Sequence, residues 1–137
     1  MIAISSPSTF LDADSIHTDS IPYVTADEAY SLLQTALARF LALVENLGPD
    51  DWGKPTACSE WNVRDILAHQ AGGYASGAGY MELIRQSSRR PKPGKLIEDA
   101  INEFQLRERA GKSPEELMAE LRRVGPVAAQ KWAYQFR

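Results

Sequence analysis

The spacing of apolar residues in the first half of the chain is the feature that most constrains its fold. Between residues 30 and 47, apolar side chains recur every three or four positions, at Tyr30, Leu33, Leu37, Phe40, Leu41, Val44 and Leu47. This spacing is typical of an amphipathic helix that packs one face against a core. Thr25 and Glu28 have the pattern of a capping box at its start, and Gly48-Pro49 marks its end.

Three further stretches of the chain have helical character. Asn62 is predicted to cap the second helix, Leu96 begins the apolar pattern of the third, and Ser113 is predicted to cap the fourth. The second stretch carries four glycines between residues 72 and 79, so we expect either a break there or close packing of another element. We expect Gly125-Pro126 to interrupt or kink the fourth helix.

The chain contains no run of alternating β-branched residues that would predict a strand. Long helices joined by short links predict an all-α domain, an antiparallel four-helix bundle. The length of 137 residues is sufficient for one domain with its own core. Residues 1–24, which are rich in Ser, Asp, Thr and Pro, are predicted to be a flexible N-terminal leader, and residues 25–137 to be the helical-bundle domain.

Charge and composition exclude several classes of function. The formal net charge of −3 predicts no nucleic-acid partner, and the basic run from Arg85 to Lys95 is interpreted as helix-end and solubility charge. No apolar run is long enough to span a bilayer, and no signal peptide is recognised. With a single cysteine, Cys58, these features predict a cytoplasmic protein. We expect Cys58 itself to be structural and half-buried.

His69 is the candidate functional residue. It lies eight residues after Trp61 in the second helix, and the glycines at 72 and 73 follow it. A lone histidine on an apolar helix face is more often a packed core residue than a ligand. The two glycines leave space beside the imidazole that a ligand, a metal or a neighbouring helix can fill. The other histidine, His17, lies in the predicted leader.

A zinc site at His69 needs at least two further nitrogen, oxygen or sulfur ligands. None of the candidate carboxylates has the helical spacing of a metal site, and all are expected to lie on solvated helix faces; they are Glu82, Glu98, Asp99 and Glu103. No motif for a nucleophilic serine, a phosphate loop or a dinucleotide site is present.

The segment from about residue 32 to residue 73 resembles the mycothiol-dependent maleylpyruvate isomerase N-terminal family, within the wider DinB-like superfamily. Weaker similarity extends the resemblance over residues 26 to 124. Its most specific part runs from Trp61 to His69. The matching strings, in order, are LGPDDW at 47–52, PTACSEW at 55–61, NVRDILAH at 62–69 and AGG at 71–73.

The resemblance implies a DinB-like four-helix bundle that binds a divalent metal, usually zinc, through three side chains. His69 matches the first of these ligands. In the family the other two come from a later helix, as an acid or histidine followed four residues later by a histidine. Family members use low-molecular-weight thiols such as mycothiol, whose thiolate the metal activates. The best-known activity is the cis–trans isomerisation of maleylpyruvate.

The chain departs from the family pattern at its C-terminus, because residues 131–137 contain no such ligand pair. We therefore expect an incomplete, C-terminally truncated bundle that lacks the last metal-ligand helix. Activity towards a small-molecule thiol and substrate, as an isomerase or transferase, is then expected to be impaired. The alternative is a non-enzymatic helical module that self-associates, as a homodimer, through its exposed apolar face.

Overall fold

The computed structural model of the protein describes residues 20–135, so His17 and most of the predicted leader lie outside the described part. A short 3₁₀ turn at Pro49–Asp51 separates the first two helices, and residues 20–135 contain no strand. The predicted all-α fold is therefore confirmed. The helices are α1 (Ala26–Glu45), α2 (Val63–Ala78), α3 (Tyr80–Ser87), α4 (Ile97–Glu108) and α5 (Pro114–Tyr134).

The three N-terminal caps predicted from the sequence are confirmed. At the start of α1, the backbone N–H of Glu28 donates to Thr25 Oγ1 over 3.2 Å, and the backbone N–H of Thr25 donates to Glu28 Oε2 over 2.8 Å. These reciprocal bonds satisfy two amides that the helix itself leaves without acceptors. The same arrangement begins α2 and α5, through the pairs Asn62 with Asp65 and Ser113 with Glu116.

Helix α5 lies at the centre of the bundle, where it packs against both α1 and α2, while α2 also contacts α3 and α4. Leu67, Leu117 and Leu121 are fully buried between these helices. Burying one such side chain contributes about 2 kcal/mol to the stability of the fold. No helix within the described part of the chain has the length and hydrophobicity needed to cross a bilayer.

The glycine-rich stretch of the second helix shows both expected outcomes. Helix α2 ends at Ala78, and α3 begins after Gly79, whose backbone is extended (φ −131°, ψ 124°). The other effect is close packing. A Cβ added at Gly72 would lie 2.7 Å from Cγ of Gln105, and one added at Gly77 would overlap the indole of Trp132. The glycines therefore let α4 and α5 approach α2.

Of the two outcomes expected at Gly125-Pro126, an interruption or a kink, the interruption was wrong, because α5 runs continuously from Pro114 to Tyr134. Gly125 is buried against α1, and a Cβ at this position would lie 2.5 Å from Cδ2 of Leu37. Pro126 lies on the exposed side of the helix. The helix is retained because buried residues on both sides of the proline, including Leu121 and Ala129, anchor it in the core.

Candidate functional site

The loop before α2 holds Trp61 against His69. The carbonyl oxygen of Trp61 accepts hydrogen bonds from the backbone N–H and the hydroxyl of Thr56, over 3.3 and 2.8 Å. Its backbone N–H donates to the carbonyl of Cys58 over 2.9 Å. The indole and imidazole ring centroids lie 4.9 Å apart with the planes tilted by 43°. This contact shields one side of His69.

Arg64 joins the start of α2 to the turn between α4 and α5. Its Nη2 donates to the carbonyl oxygens of Arg109, Ala110 and Lys112 over 2.6, 3.0 and 2.6 Å. These carbonyls follow Glu108, the last residue of α4, close to the C-terminal end of that helix. The positive charge also favours this end of the helix dipole. Arg64 thereby fixes α4 relative to the helix that carries His69.

His69 takes part in a chain of hydrogen bonds that crosses three helices. Its Nδ1 lies 2.8 Å from Oε1 of Gln105, whose Nε2 donates to Oε1 of Gln86 over 2.7 Å. The Nε2 of Gln86 donates both to the carbonyl of Gly72 over 2.9 Å and to Oε1 of Glu82 over 3.0 Å. We call these five residues the His69 network.

Two members of the His69 network, Gln86 and Gln105, were missed by the sequence analysis. Their side chains are almost completely buried, with 2% and 3% exposed. The one sequence signal for them was the glycine pair after His69, which predicted space for a neighbouring helix. Gln105 of α4 fills that space at Gly72, whereas an added Cβ at Gly73 would meet no atom within 4 Å.

The structure corrects two expectations for single residues. Glu82 does not lie on a solvated face: it is half-buried, and it accepts hydrogen bonds from Gln86 and Arg85. Cys58 is exposed rather than half-buried. Its backbone shapes the loop, since its N–H donates to Thr56 Oγ1 over 3.1 Å.

The remaining candidate carboxylates face solvent or are engaged by other groups. Glu98 is exposed, and Glu103 is exposed and paired with Lys92 over 2.7 Å. Asp99 accepts a hydrogen bond from the backbone N–H of Leu96 over 3.0 Å, so it caps the start of α4. Glu98 and Glu103 thus lie in solvent, and Asp99 lies at a helix end.

A surface cleft of about 410 Å³ opens beside Trp61, between the end of α3 and α4. The aromatic ring of Phe104 lies at the cleft, with the guanidinium carbon of Arg89 4.2 Å from its centroid, a cation–π contact. His69 does not line the cleft. Trp61 both lines the cleft and contacts the His69 ring. Five cationic and three acidic side chains line the cleft: Arg89, Arg90, Lys92, Lys95 and Arg107, with Glu60, Asp99 and Glu103.

The sequence profile of the mycothiol maleylpyruvate isomerase N-terminal domain family matches residues 33–136. This match covers most of the chain, from the first half of α1 to the end of α5. The chain belongs to this family. The DinB-like helical bundle implied by the resemblance is consistent with the five helices described above.

Two curated relatives, both described as uncharacterised proteins, come from Mycobacterium tuberculosis strains CDC 1551 / Oshkosh and ATCC 25618 / H37Rv. Each is 45% identical to this chain over 40 residues, which are 29% of this chain. The matched segment spans 22% of the length of each relative. No solved structure gives a significant match.

The family resemblance implies a divalent metal held in part by His69. Within residues 20–135, no group of three His, Cys, Asp or Glu side chains is close enough to bind one ion. His69 fits the role of one ligand, but the residues around it do not complete a site. Its assignment as a metal ligand stays a prediction.

Proposed function

We propose that this chain is a metal-binding DinB-like protein, related to the thiol-dependent isomerases and transferases of its family, in which His69 supplies one metal ligand. The observation that carries the proposal is the hydrogen bonding of the two imidazole nitrogens. Its Nδ1 is engaged by Gln105, while its Nε2 has no hydrogen-bond partner among residues 20–135. A metal-binding histidine has this arrangement, with one nitrogen held by a polar partner and the other free to coordinate.

The divalent metal we propose is zinc, because imidazole is one of its preferred ligands. A single imidazole holds zinc weakly, since stable sites use three or four protein ligands. Because no group of three His, Cys, Asp or Glu side chains in the described part of the chain could hold one ion, we propose that metal-dependent thiol chemistry is impaired in this chain by itself. Further ligands from outside residues 20–135, or from another molecule, would be required for activity.

The cleft beside Trp61 supports the proposal that the small-molecule substrate is an anion. Five cationic side chains against three acidic ones leave an excess of positive charge at its walls. Lys92 is already paired with Glu103, and the guanidinium groups of Arg89 and Arg107 lie over the Phe104 ring. Arg90 and Lys95 are therefore the cations best placed for a carboxylate. Arginine binds carboxylates through two parallel hydrogen bonds. A low-molecular-weight thiol such as mycothiol is the proposed second small molecule.

Zinc titration by isothermal calorimetry tests the role of His69. We expect weak binding by the wild-type protein and still weaker binding by His69→Ala, because that variant loses the proposed ligand. His17→Ala is the matched control, since it removes the other histidine of the chain, and it should bind zinc as the wild type does.

Two outcomes of this titration would contradict the proposal. Stoichiometric, sub-micromolar binding that disappears in His69→Ala would show that a complete site exists and that the chain is not impaired. Binding that is unchanged in His69→Ala but lost in His17→Ala would remove His69 from the site.

A second candidate function, self-association as a non-enzymatic module, is favoured by the orientation of α3. This helix buries Gln86, with 2% exposed, and exposes its apolar side chains. Amphipathic helices on a monomer surface normally show the opposite arrangement. A second copy of this chain is the proposed partner for the exposed side chains, which are Tyr80, Met81, Leu83 and Ile84.

A further inference from the structure

We propose that Gln105 and Gln86 are positioning residues that hold His69 as the Nδ1–H tautomer and leave the lone pair of Nε2 free. The functional meaning of this inference rests on the proposed role of His69 as a ligand. The tautomer itself is a property of the metal-free protein, so it can be examined separately.

At one end of the His69 network lie two groups that only accept hydrogen bonds. The carbonyl of Gly72 and the carboxylate of Glu82 both accept hydrogen bonds from the side-chain nitrogen of Gln86. Arg85 donates to the other carboxylate oxygen of Glu82 over 2.7 Å, so both oxygens of this side chain act as acceptors. The amide of Gln86 must therefore direct its NH₂ group to these two acceptors.

The orientation of Gln86 determines the orientation of Gln105. With its NH₂ group occupied, Gln86 presents its oxygen to Gln105, and an oxygen can only accept. Gln105 must donate from Nε2 over 2.7 Å, which directs its own oxygen to His69. That oxygen lies 2.8 Å from Nδ1 of His69, so Nδ1 carries the proton.

The opposite orientation of the amides is disfavoured because both side chains are buried. Reversing Gln86 would place its oxygen against the carbonyl of Gly72 and the carboxylate of Glu82, replacing two hydrogen bonds with two acceptor–acceptor contacts. Gln86 and Gln105 are only 2% and 3% exposed, so water cannot compensate for the lost bonds.

Gly72 makes this arrangement sterically accessible. A Cβ at residue 72 would lie 2.7 and 2.8 Å from Cγ and Cβ of Gln105, closer than side-chain atoms pack. The absence of a side chain lets Gln105 lie across α2 beside His69, while the Gly72 carbonyl orients Gln86. The glycine after His69 thus contributes to the tautomer through both its space and its backbone.

The consequence is that Nε2 of neutral His69 presents a lone pair. Only an unprotonated ring nitrogen can coordinate a metal or accept a proton, and a partner on the other nitrogen fixes which one is available. Free neutral histidine favours the Nε2–H form. A majority of the Nδ1–H form at His69 would therefore report the effect of the His69 network.

Long-range ¹H–¹⁵N NMR of the metal-free protein in chelator tests this inference, because protonated and unprotonated ring nitrogens have well-separated ¹⁵N shifts. The spectra are recorded at about pH 8.5, where imidazole side chains are neutral. His17→Gln assigns the His69 signals. We expect mainly Nδ1–H in the wild type and mainly Nε2–H in Gln105→Leu, which removes the acceptor. Gln105→Glu should retain Nδ1–H, because it keeps an acceptor.

Gln70→Leu is the matched control, since it makes the same change one residue from His69 at a side chain outside the His69 network. It should leave the Nδ1–H form in the majority. An Nε2–H majority in the wild type, or an Nδ1–H majority in folded Gln105→Leu, would overturn the inference. If Gln105→Leu does not fold, the wild type and Gln105→Glu still decide it. None of these outcomes depends on zinc, so a failed zinc titration and a failed tautomer assignment are distinguishable.

Discussion

At the scale of single residues, the buried charges of this protein are stabilised by pairing. Glu120, 8% exposed, accepts hydrogen bonds from Arg109 and Lys112, each over 2.7 Å. Burial raises the pKa of Glu120, but the hydrogen bonds and charges of Arg109 and Lys112 outweigh it and hold the pKa below its ordinary value. The ionised form of Glu120 therefore stabilises the fold.

Replacement of Glu120 by glutamine should lower the free energy of unfolding by about 2 kcal/mol at neutral pH, because it leaves the buried Arg109 guanidinium without a carboxylate partner. The lowered pKa also predicts a pH dependence. The contribution is complete above the ordinary value of 4.5 and is lost as the pH falls through the lower folded-state pKa. The stability difference between wild type and Glu120→Gln should shrink in that range, as measured by urea denaturation.

The control for this prediction is Glu45→Gln, which alters the exposed ion pair between Glu45 and Arg122. Their side chains are 46% and 49% exposed. An exposed pair contributes little, so this variant should lose less than about 1 kcal/mol. Equal losses in the two variants, or a difference for Glu120→Gln that stays constant down to acid pH, would contradict the argument.

At the scale of elements, the glycines of α2 have different surroundings although they look alike in the sequence. A Cβ at Gly73 would meet no atom within 4 Å, whereas one at Gly77 would overlap the indole of Trp132. That indole packs on Tyr74, with ring centroids 5.0 Å apart. Gly77 therefore permits the contact between α2 and α5, and Gly73 carries only the cost of a flexible residue in a helix.

Alanine at these two positions should change stability in opposite directions. Gly73→Ala should raise the free energy of unfolding by up to about 1 kcal/mol, because alanine favours the helix. Gly77→Ala gains the same helix propensity but must displace the Trp132 indole, with a net loss of about 1–3 kcal/mol. Thermal melts followed by circular dichroism measure both. A stabilised Gly77→Ala protein would show that α5 can move away at little cost.

At the scale of the whole molecule, α3 carries four of the exposed large apolar side chains of residues 20–135. Met81 is 71% exposed and Ile84 43% exposed, although Gln86 of the same helix is buried. Because the His69 network holds Gln86 inside, the apolar side chains of α3 must face outwards. An exposed apolar patch of this kind commonly marks an interaction site.

If a second copy covers this surface, the protein should sediment as a dimer at micromolar concentration in analytical ultracentrifugation. Met81→Glu and Ile84→Glu should each shift it to a monomer, since a charge cannot be buried unpaired in an apolar interface. Leu43→Glu is the control, because Leu43 is 62% exposed on α1, outside α3. A monomeric wild type, or equal dissociation by Leu43→Glu, would exclude this interface.

Much of the fold could be predicted from the sequence because its signals are local. The caps at Thr25, Asn62 and Ser113 depend on residues three positions away, and the apolar faces repeat every three or four positions. The placement of His69 on α2 followed from the same short segment, but its contact with Trp61 did not.

The amino-acid sequence by itself therefore determined the all-α class, the residues at which α1, α2 and α5 begin, and the family to which the chain belongs. Only the tertiary structure decided what surrounds the imidazole. Gln105 lies 36 residues after His69, Gln86 lies 19 residues before Gln105, and neither spacing leaves a periodic signal. Packing also kept α5 continuous through Pro126, since the buried contacts on both sides outweigh one missing hydrogen bond.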